Sequence, residues 1–182
     1  AGPDEANVSR LAAGYSFTCA VKTDGTPVCW GFNLNGESTI PDGTGTVTSI
    51  AAGVTHACAI KTDGTPTCWG DNTAGQTTIP GDIGTVTAIT AGNTHTCAIK
   101  TGGTPVCWGG NGSNQSSIPG DLGAVTAITA GYSFTCAIRT DATVRCWGDG
   151  TYNQHIVPND VGTVTAVSAG WYHVCAIRTD AT

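Results

Sequence analysis

The chain repeats itself every 39 residues, and that period restricts its possible folds more than any other feature. One set of cysteines falls at Cys19, Cys58, Cys97, Cys136 and Cys175, and a second at Cys29, Cys68, Cys107 and Cys146 keeps the same step. Trp30, Trp69, Trp108 and Trp147 share it, as do Pro41, Pro80, Pro119 and Pro158. So do Gly14, Gly53, Gly92, Gly131 and Gly170. Five columns in one register define a tandem array, in which each unit buries its apolar face against its neighbours.

One unit runs from Val47 to Pro80 and contains four short apolar–polar alternations: VTSI (VTAI in later units), HACAIK, TPTCW and QTTIP. Each has strand length, is rich in β-branched residues and is bounded by Gly, Asp, Asn or Pro. No stretch carries a helical period. The reading is an all-β chain of three or four strands per repeat, with the repeats serving as β-propeller blades.

The segment CAIKTDGTPTC also sets its own register. Thr62-Asp63-Gly64 forms a three-residue hairpin loop with glycine in the left-handed position. Lys61 then faces Thr65, and Ile60 faces Pro66 at a site where the missing N–H costs nothing. Cys58 lands opposite Cys68, within reach of a disulfide. The same register pairs Cys19 with Cys29, Cys97 with Cys107 and Cys136 with Cys146, each bond worth somewhat under ~3 kcal/mol. The nine-residue gap, with no CxxC, argues against zinc or haem. Ala142 takes the glycine position of the fourth hairpin, at a strain of roughly 1 kcal/mol. Cys175 is left over, because its partner column falls three residues beyond Thr182. It is expected to be unpaired in a segment of a longer chain, or to cross-link to another subunit.

The pattern AG..H.CAIK.DGT..CWG.N..GQ, clearest from Ala52 to Gln76, resembles the regulator of chromosome condensation repeat family in its short bacterial form. The resemblance covers nearly the whole chain and implies seven-bladed propellers. The stretch Gly75 to Pro80 is similar to the repeats of propeller-type β-lactamase inhibitor proteins. Residues 1–182 hold about 4.7 repeats, whereas seven would need about 273 residues. A single repeat domain is therefore expected as a partial propeller or an open array, whose unpaired edges invite further copies.

Function must lie in the columns that vary. The position after the repeated glycine reads Tyr15, Val54, Asn93, Tyr132 and Trp171, and the loop after CWG carries Phe32, Leu34, Asp71, Asp149 and Tyr152. Tyr15, Phe32, Tyr132, Tyr152, Trp171 and Tyr172 are the candidate protein-binding residues, since aromatic residues on loops are typical of such surfaces. The column Phe17, His56, His95, Phe134, His173 reads as a packed, half-buried ring rather than a metal site. The tryptophan of CWG reads as core between blades, with its N–H bonded locally. Asp24, Asp63, Asp141 and Asp180 belong to hairpin turns, and no catalytic set of Ser-His-Asp or Cys-His type stands out.

A net charge of −6 with seven scattered basic residues argues against nucleic acid. No apolar run approaches the ~18 residues of a membrane span. The chain has no methionine, so residue 1 is not a translation start and a removed signal peptide is expected. Paired cysteines point to an oxidising compartment. The expectation is a non-catalytic, secreted or cell-surface scaffold without cofactor or metal. Its partner is a protein or a second copy of itself, as a homo-oligomer or filament. A secreted inhibitor acting through an aromatic loop face is the alternative, and a carbohydrate-binding lectin a further one.

Overall fold

Residues 8–180 are described by a computed structural model, and every regular element in them is a β-strand. Blade one contains β1 (Val8–Ala13), β2 (Phe17–Lys22) and β3 (Pro27–Gly31). Blade two contains β4 (Val47–Ala52), β5 (His56–Lys61) and β6 (Pro66–Gly70). Blade three contains β7 (Val86–Ala91), β8 (His95–Lys100) and β9 (Pro105–Gly109). Blade four contains β10 (Val125–Ala130), β11 (Phe134–Arg139) and β12 (Val144–Gly148). A fifth sheet pairs β13 (Val164–Ala169) with β14 (Val174–Arg178). All are antiparallel and ordered as in the chain.

The stretch QTTIP forms a turn instead of a fourth strand. Side chains take the backbone groups that a strand would need: Thr77 N donates to Asn72 Oδ1 at 3.0 Å, and Ala74 N to Gln76 Oε1 at 2.9 Å. In the hairpin, Cys58 faces Cys68 and Ile60 faces Pro66. Lys61 N donates to Thr65 O at 2.9 Å, and Gly64 sits at φ +85°. Disulfides join Cys19–Cys29, Cys58–Cys68, Cys97–Cys107 and Cys136–Cys146, with Cα atoms 4.0 to 4.1 Å apart. Cys175 is an exposed free thiol.

The blades stand radially. Each inner strand packs on the next, β1 on β4, β4 on β7, β7 on β10 and β10 on β13. Among the described residues no comparable packing returns from β13 to β1, so the blades form an open arc. The core lies in the seams. Ile60 of blade two is buried with Ile83, Val86, Ala98 and Trp108 of the next unit, and Ile99 is buried likewise with Leu122, Val125, Ala137 and Trp147. A blade alone would expose half of that surface, which is why burial requires neighbours.

The repeated glycine at the inner turn follows from this closeness. A Cβ on Gly53 would collide with the Gly92 carbonyl oxygen of the next blade and with the His56 ring. At the opposite end of the blade, the hairpin residue must be left-handed. Ala142 adopts φ +66° there, in the place of Gly64. Ala142→Gly is expected to raise stability by about 1 kcal/mol, and Gly64→Ala to lower it by at least as much. Urea unfolding midpoints with the disulfides intact provide the check.

Candidate functional site

The inner turns and the loops that follow the third strands share one end of the arc. Backbone bonds hold them side by side: Phe32 N donates to Ser16 O at 2.9 Å, Asp71 N to Thr55 O at 2.9 Å and Asp149 N to Ser133 O at 2.8 Å. The turn residues Tyr15, Val54, Asn93, Tyr132 and Trp171 surround a depression of about 210 Å³ floored by the five inner glycines.

Curvature of the arc brings together rings from blades one, four and five. Trp171 lies 4.9 Å from Tyr15 and 5.3 Å from Tyr132, between ring centroids. Tyr172 lies 5.6 Å from Tyr132 and 5.1 Å from Tyr152, and 6.2 Å from Trp171. These are tilted and edge-on arrangements that the ring quadrupoles favour. The cluster nevertheless stays open to solvent, with Tyr15 62%, Tyr152 66%, Trp171 42% and Tyr172 43% exposed. Phe32 stands apart on the first blade, half exposed and without a ring partner among the described residues.

Basic side chains gather at one end of the blades. Lys22, Lys61, Lys100, Arg139 and Arg178 end the second strands at the hairpin end, and Arg145 lies just past a hairpin. Arg10 lies within β1. The aromatic end carries Asp71 and Asp149 instead. Asp149 is held below the usual carboxylate range by the Thr151 hydroxyl and N–H. The hairpin aspartates Asp63 and Asp141 are lowered in the same way by Thr65 and Thr143. Among the described residues no cluster of His, Cys, Asp or Glu is arranged to hold a metal ion.

Beneath the aromatic face run polar threads that stitch the blades. Trp69, Trp108 and Trp147 donate their indole N–H, each at 2.9 Å, to the carbonyls of Glu37, Gln76 and Gln115. The acceptor belongs to the preceding unit's loop, so the N–H is not locally bonded as the sequence suggested. A propeller places that loop over the next blade's tryptophan. Gln76 O also accepts from Thr96 Oγ1 at 2.8 Å, and Gln115 O from Thr135 Oγ1 at 2.9 Å. Each threonine hydroxyl in turn faces a histidine of the blade before: His56 Nε2 at 2.9 Å and His95 Nε2 at 2.9 Å.

The bond directions follow from donor counting. A carbonyl only accepts, so each threonine spends its single proton there and the histidine must donate. His56 and His95 are therefore protonated at Nε2, and burial keeps the rings neutral, with Nδ1 buried and without a partner among the described residues. Both rings are fully buried, not half-buried as the alternation with phenylalanine implied. The next blade covers them. Burial lowers both to about 4. For His56 the nearby Asp71 opposes the shift, and for His95 the neighbouring His56 adds to it. The rings are out of reach of any substrate. His173, with no blade over it in the described residues, is exposed.

Sequence reasoning did not identify these threads. The signal was present as two columns offset by forty residues, His56 with Thr96 and His95 with Thr135. A reading of each column alone does not show it.

The fold and its seams define a tandem-repeat β-propeller scaffold whose blades are clipped by disulfides. The chain belongs to the regulator of chromosome condensation (RCC1) repeat family, whose repeat pattern matches residues 8–37, 47–76, 86–115 and 125–154. Among solved structures it is similar to the ectodomain of the receptor kinase CR4 from Physcomitrella patens, at 29% identity and a TM-score of 0.80 over 96% of this chain and 48% of that one. It is also similar to the CRINKLY WD40 ectodomain of the receptor kinase ACR4 from Arabidopsis thaliana, at 24% identity, TM-score 0.75, over 96% and 62%. Prp20p from Saccharomyces cerevisiae shares the fold at 16% identity, TM-score 0.82, over 97% and 57%. The chain thus spans about half to three-fifths of the length of these structures. No curated protein matches it.

The histidines give a dependence on pH with a definite sign. Their folded pKa of about 4 lies below the ordinary 6.5, so the unfolded chain binds more protons between those values. Stability is full above about pH 7, falls as the pH drops through 6.5, and levels off for these groups near 4. The loss is on the order of 3 kcal/mol per histidine. The lowered aspartates act only below that window. Replacing both pairs by the apolar types found elsewhere in the chain, His56→Phe with Thr96→Ala and His95→Phe with Thr135→Ala, is expected to flatten the urea midpoint between pH 7 and 4.5.

Proposed function

We propose that the chain is a non-catalytic scaffold that works outside the cytoplasm and holds a protein partner through the aromatic face of Tyr15, Tyr132, Tyr152, Trp171 and Tyr172. The observation that carries this reading is that rings from three blades converge into one exposed patch on a rigid frame. Isolated exposed aromatics are ordinary, whereas a contiguous group of them on loops offers large contact area at low entropic cost. The extracellular setting is supported by four disulfides and by the similarity to a receptor-kinase ectodomain. Eight of the nine cysteines are held in disulfides, and His56 and His95 are sealed in seams. The chemistry left on the aromatic end is stacking, hydroxyl hydrogen bonding and the Asp149 carboxylate, which suits binding.

Self-association is a second reading, favoured by the exposed Cys175 thiol and the open faces of blades one and five. A photo-crosslinking residue at Tyr172 is expected to capture a discrete partner from the native extracellular medium, while the same residue at Lys61 captures none. Trp171→Ala with Tyr172→Ala should abolish competition by the unlabelled protein. Equal capture from both ends would overturn the aromatic-face reading. Capture of the chain itself, lost on adding reductant, would favour the second.

A further inference from the structure

The depression at the centre of the aromatic end offers acceptors and ring faces but few donors. Its floor is bare because a Cβ on Gly14, Gly53 or Gly92 would meet the glycine carbonyl oxygen of the next blade. The oxygens of Gly53, Gly92 and Gly131 therefore crowd the inner turns. The backbone N–H groups that could balance them are spent. Tyr15 N donates to Gly53 O, Val54 N to Gly92 O, Asn93 N to Tyr132 O and Tyr132 N to Trp171 O, at 3.1 to 3.2 Å. Each accepting carbonyl keeps a second lone pair. Of the five turn residues, only Trp171 has an N–H without a backbone acceptor among the described residues. Tyr15, Tyr132 and Trp171 wall the hollow, and the face of an aromatic ring is the negative side of its quadrupole.

No Lys or Arg of the chain supplies the missing positive charge. All seven lie in the hairpin half of the blades: the five that end the second strands, Arg10 opposite Val21, and Arg145 opposite Ala137. The acids Asp71 and Asp149 lie at the aromatic end, bonded through their backbone to the inner turns. A hollow of about 210 Å³ admits one long side chain and neither a strand nor a helix. We propose, on the aromatic-face reading above, that it takes an arginine side chain of the protein partner. The guanidinium lies against Trp171, Tyr15 and Tyr132 and turns its N–H groups toward the inner carbonyls. Arginine fits better than lysine because the hollow is open to solvent. A guanidinium is weakly hydrated, stacks flat on rings and presents five donors, whereas an ammonium is compact and strongly hydrated. An apolar side chain would cover the carbonyls without giving them a donor.

The test needs no partner, so its failure and the failure of the aromatic-face reading can be told apart. The full chain is titrated with N-acetylarginine amide and with the neutral isostere N-acetylcitrulline amide, while NMR follows the Trp171 indole and the tyrosine rings. Arginine is expected to bind roughly tenfold more tightly than citrulline, as contact of one cation with two or three rings implies. Trp171→Leu with Tyr132→Leu should remove the preference. Tyr15→Phe with Tyr132→Phe, which keeps the ring faces, should retain it. Slow exchange of the Trp69, Trp108 and Trp147 indole N–H groups in each variant shows that the frame is intact. Equal responses to the two amides, no response of Trp171 to arginine, or a preference that survives the leucine variant would overturn the proposal. Equal responses alongside partner capture at Tyr172 would strike the arginine and leave the aromatic face standing.

Discussion

One carbonyl oxygen does the work of joining two blades. Gln76 O receives the Trp108 indole N–H and the Thr96 hydroxyl, and through that hydroxyl the His56 ring is held as well. A carbonyl has two lone pairs, and both are used. The loop that aims it is stiff because the Gln76 side chain bonds back to Ala74 N and to Asp71. Around this polar thread lies the apolar packing of Ile60, Ile83, Val86 and Trp108. Orienting a large indole so that its N–H is satisfied fixes the angle between blades. The same angle, repeated, bends the array into an arc.

The aromatic face depends on that arc. Tyr15 and Trp171 belong to the first and last blades, and they meet only because four seams in succession turn the same way. The disulfides act on a different link of the chain. They hold each hairpin in register, so that the tryptophan beside the second cysteine points into the seam rather than away from it. Frame and surface are thus separated by column: the repeated residues hold geometry, and the varied ones beside the axis are free to meet a partner.

Hairpin register, disulfide pairs, and blade architecture were all legible in the sequence, because Gly64, Pro66 and the cysteine spacing each demand the same local arrangement. The inner glycine was visible as a column, but its reason, the approach of the Gly92 carbonyl, needed coordinates. QTTIP looked like a strand because alternation cannot reveal that Asn72 and Gln76 side chains occupy the backbone N–H groups. The indole partners were missed for a similar reason: a bond spanning 32 residues leaves no local trace. Tyr15, Tyr132 and Trp171 share one turn column and meet, whereas Tyr152 joins them from the loop after CWG, a loop that Phe32 shares on the first blade without reaching the cluster.

Hydrogen exchange of the indole N–H groups, followed by NMR under native conditions, tests the seam account most directly. Trp69, Trp108 and Trp147 should exchange slowly and with similar protection. Trp30, which has no acceptor among the described residues, and the exposed Trp171 should exchange fast. If the three seam indoles exchanged as quickly as Trp171, the blades would not be joined through those carbonyls, and the explanation given for the arc would be wrong.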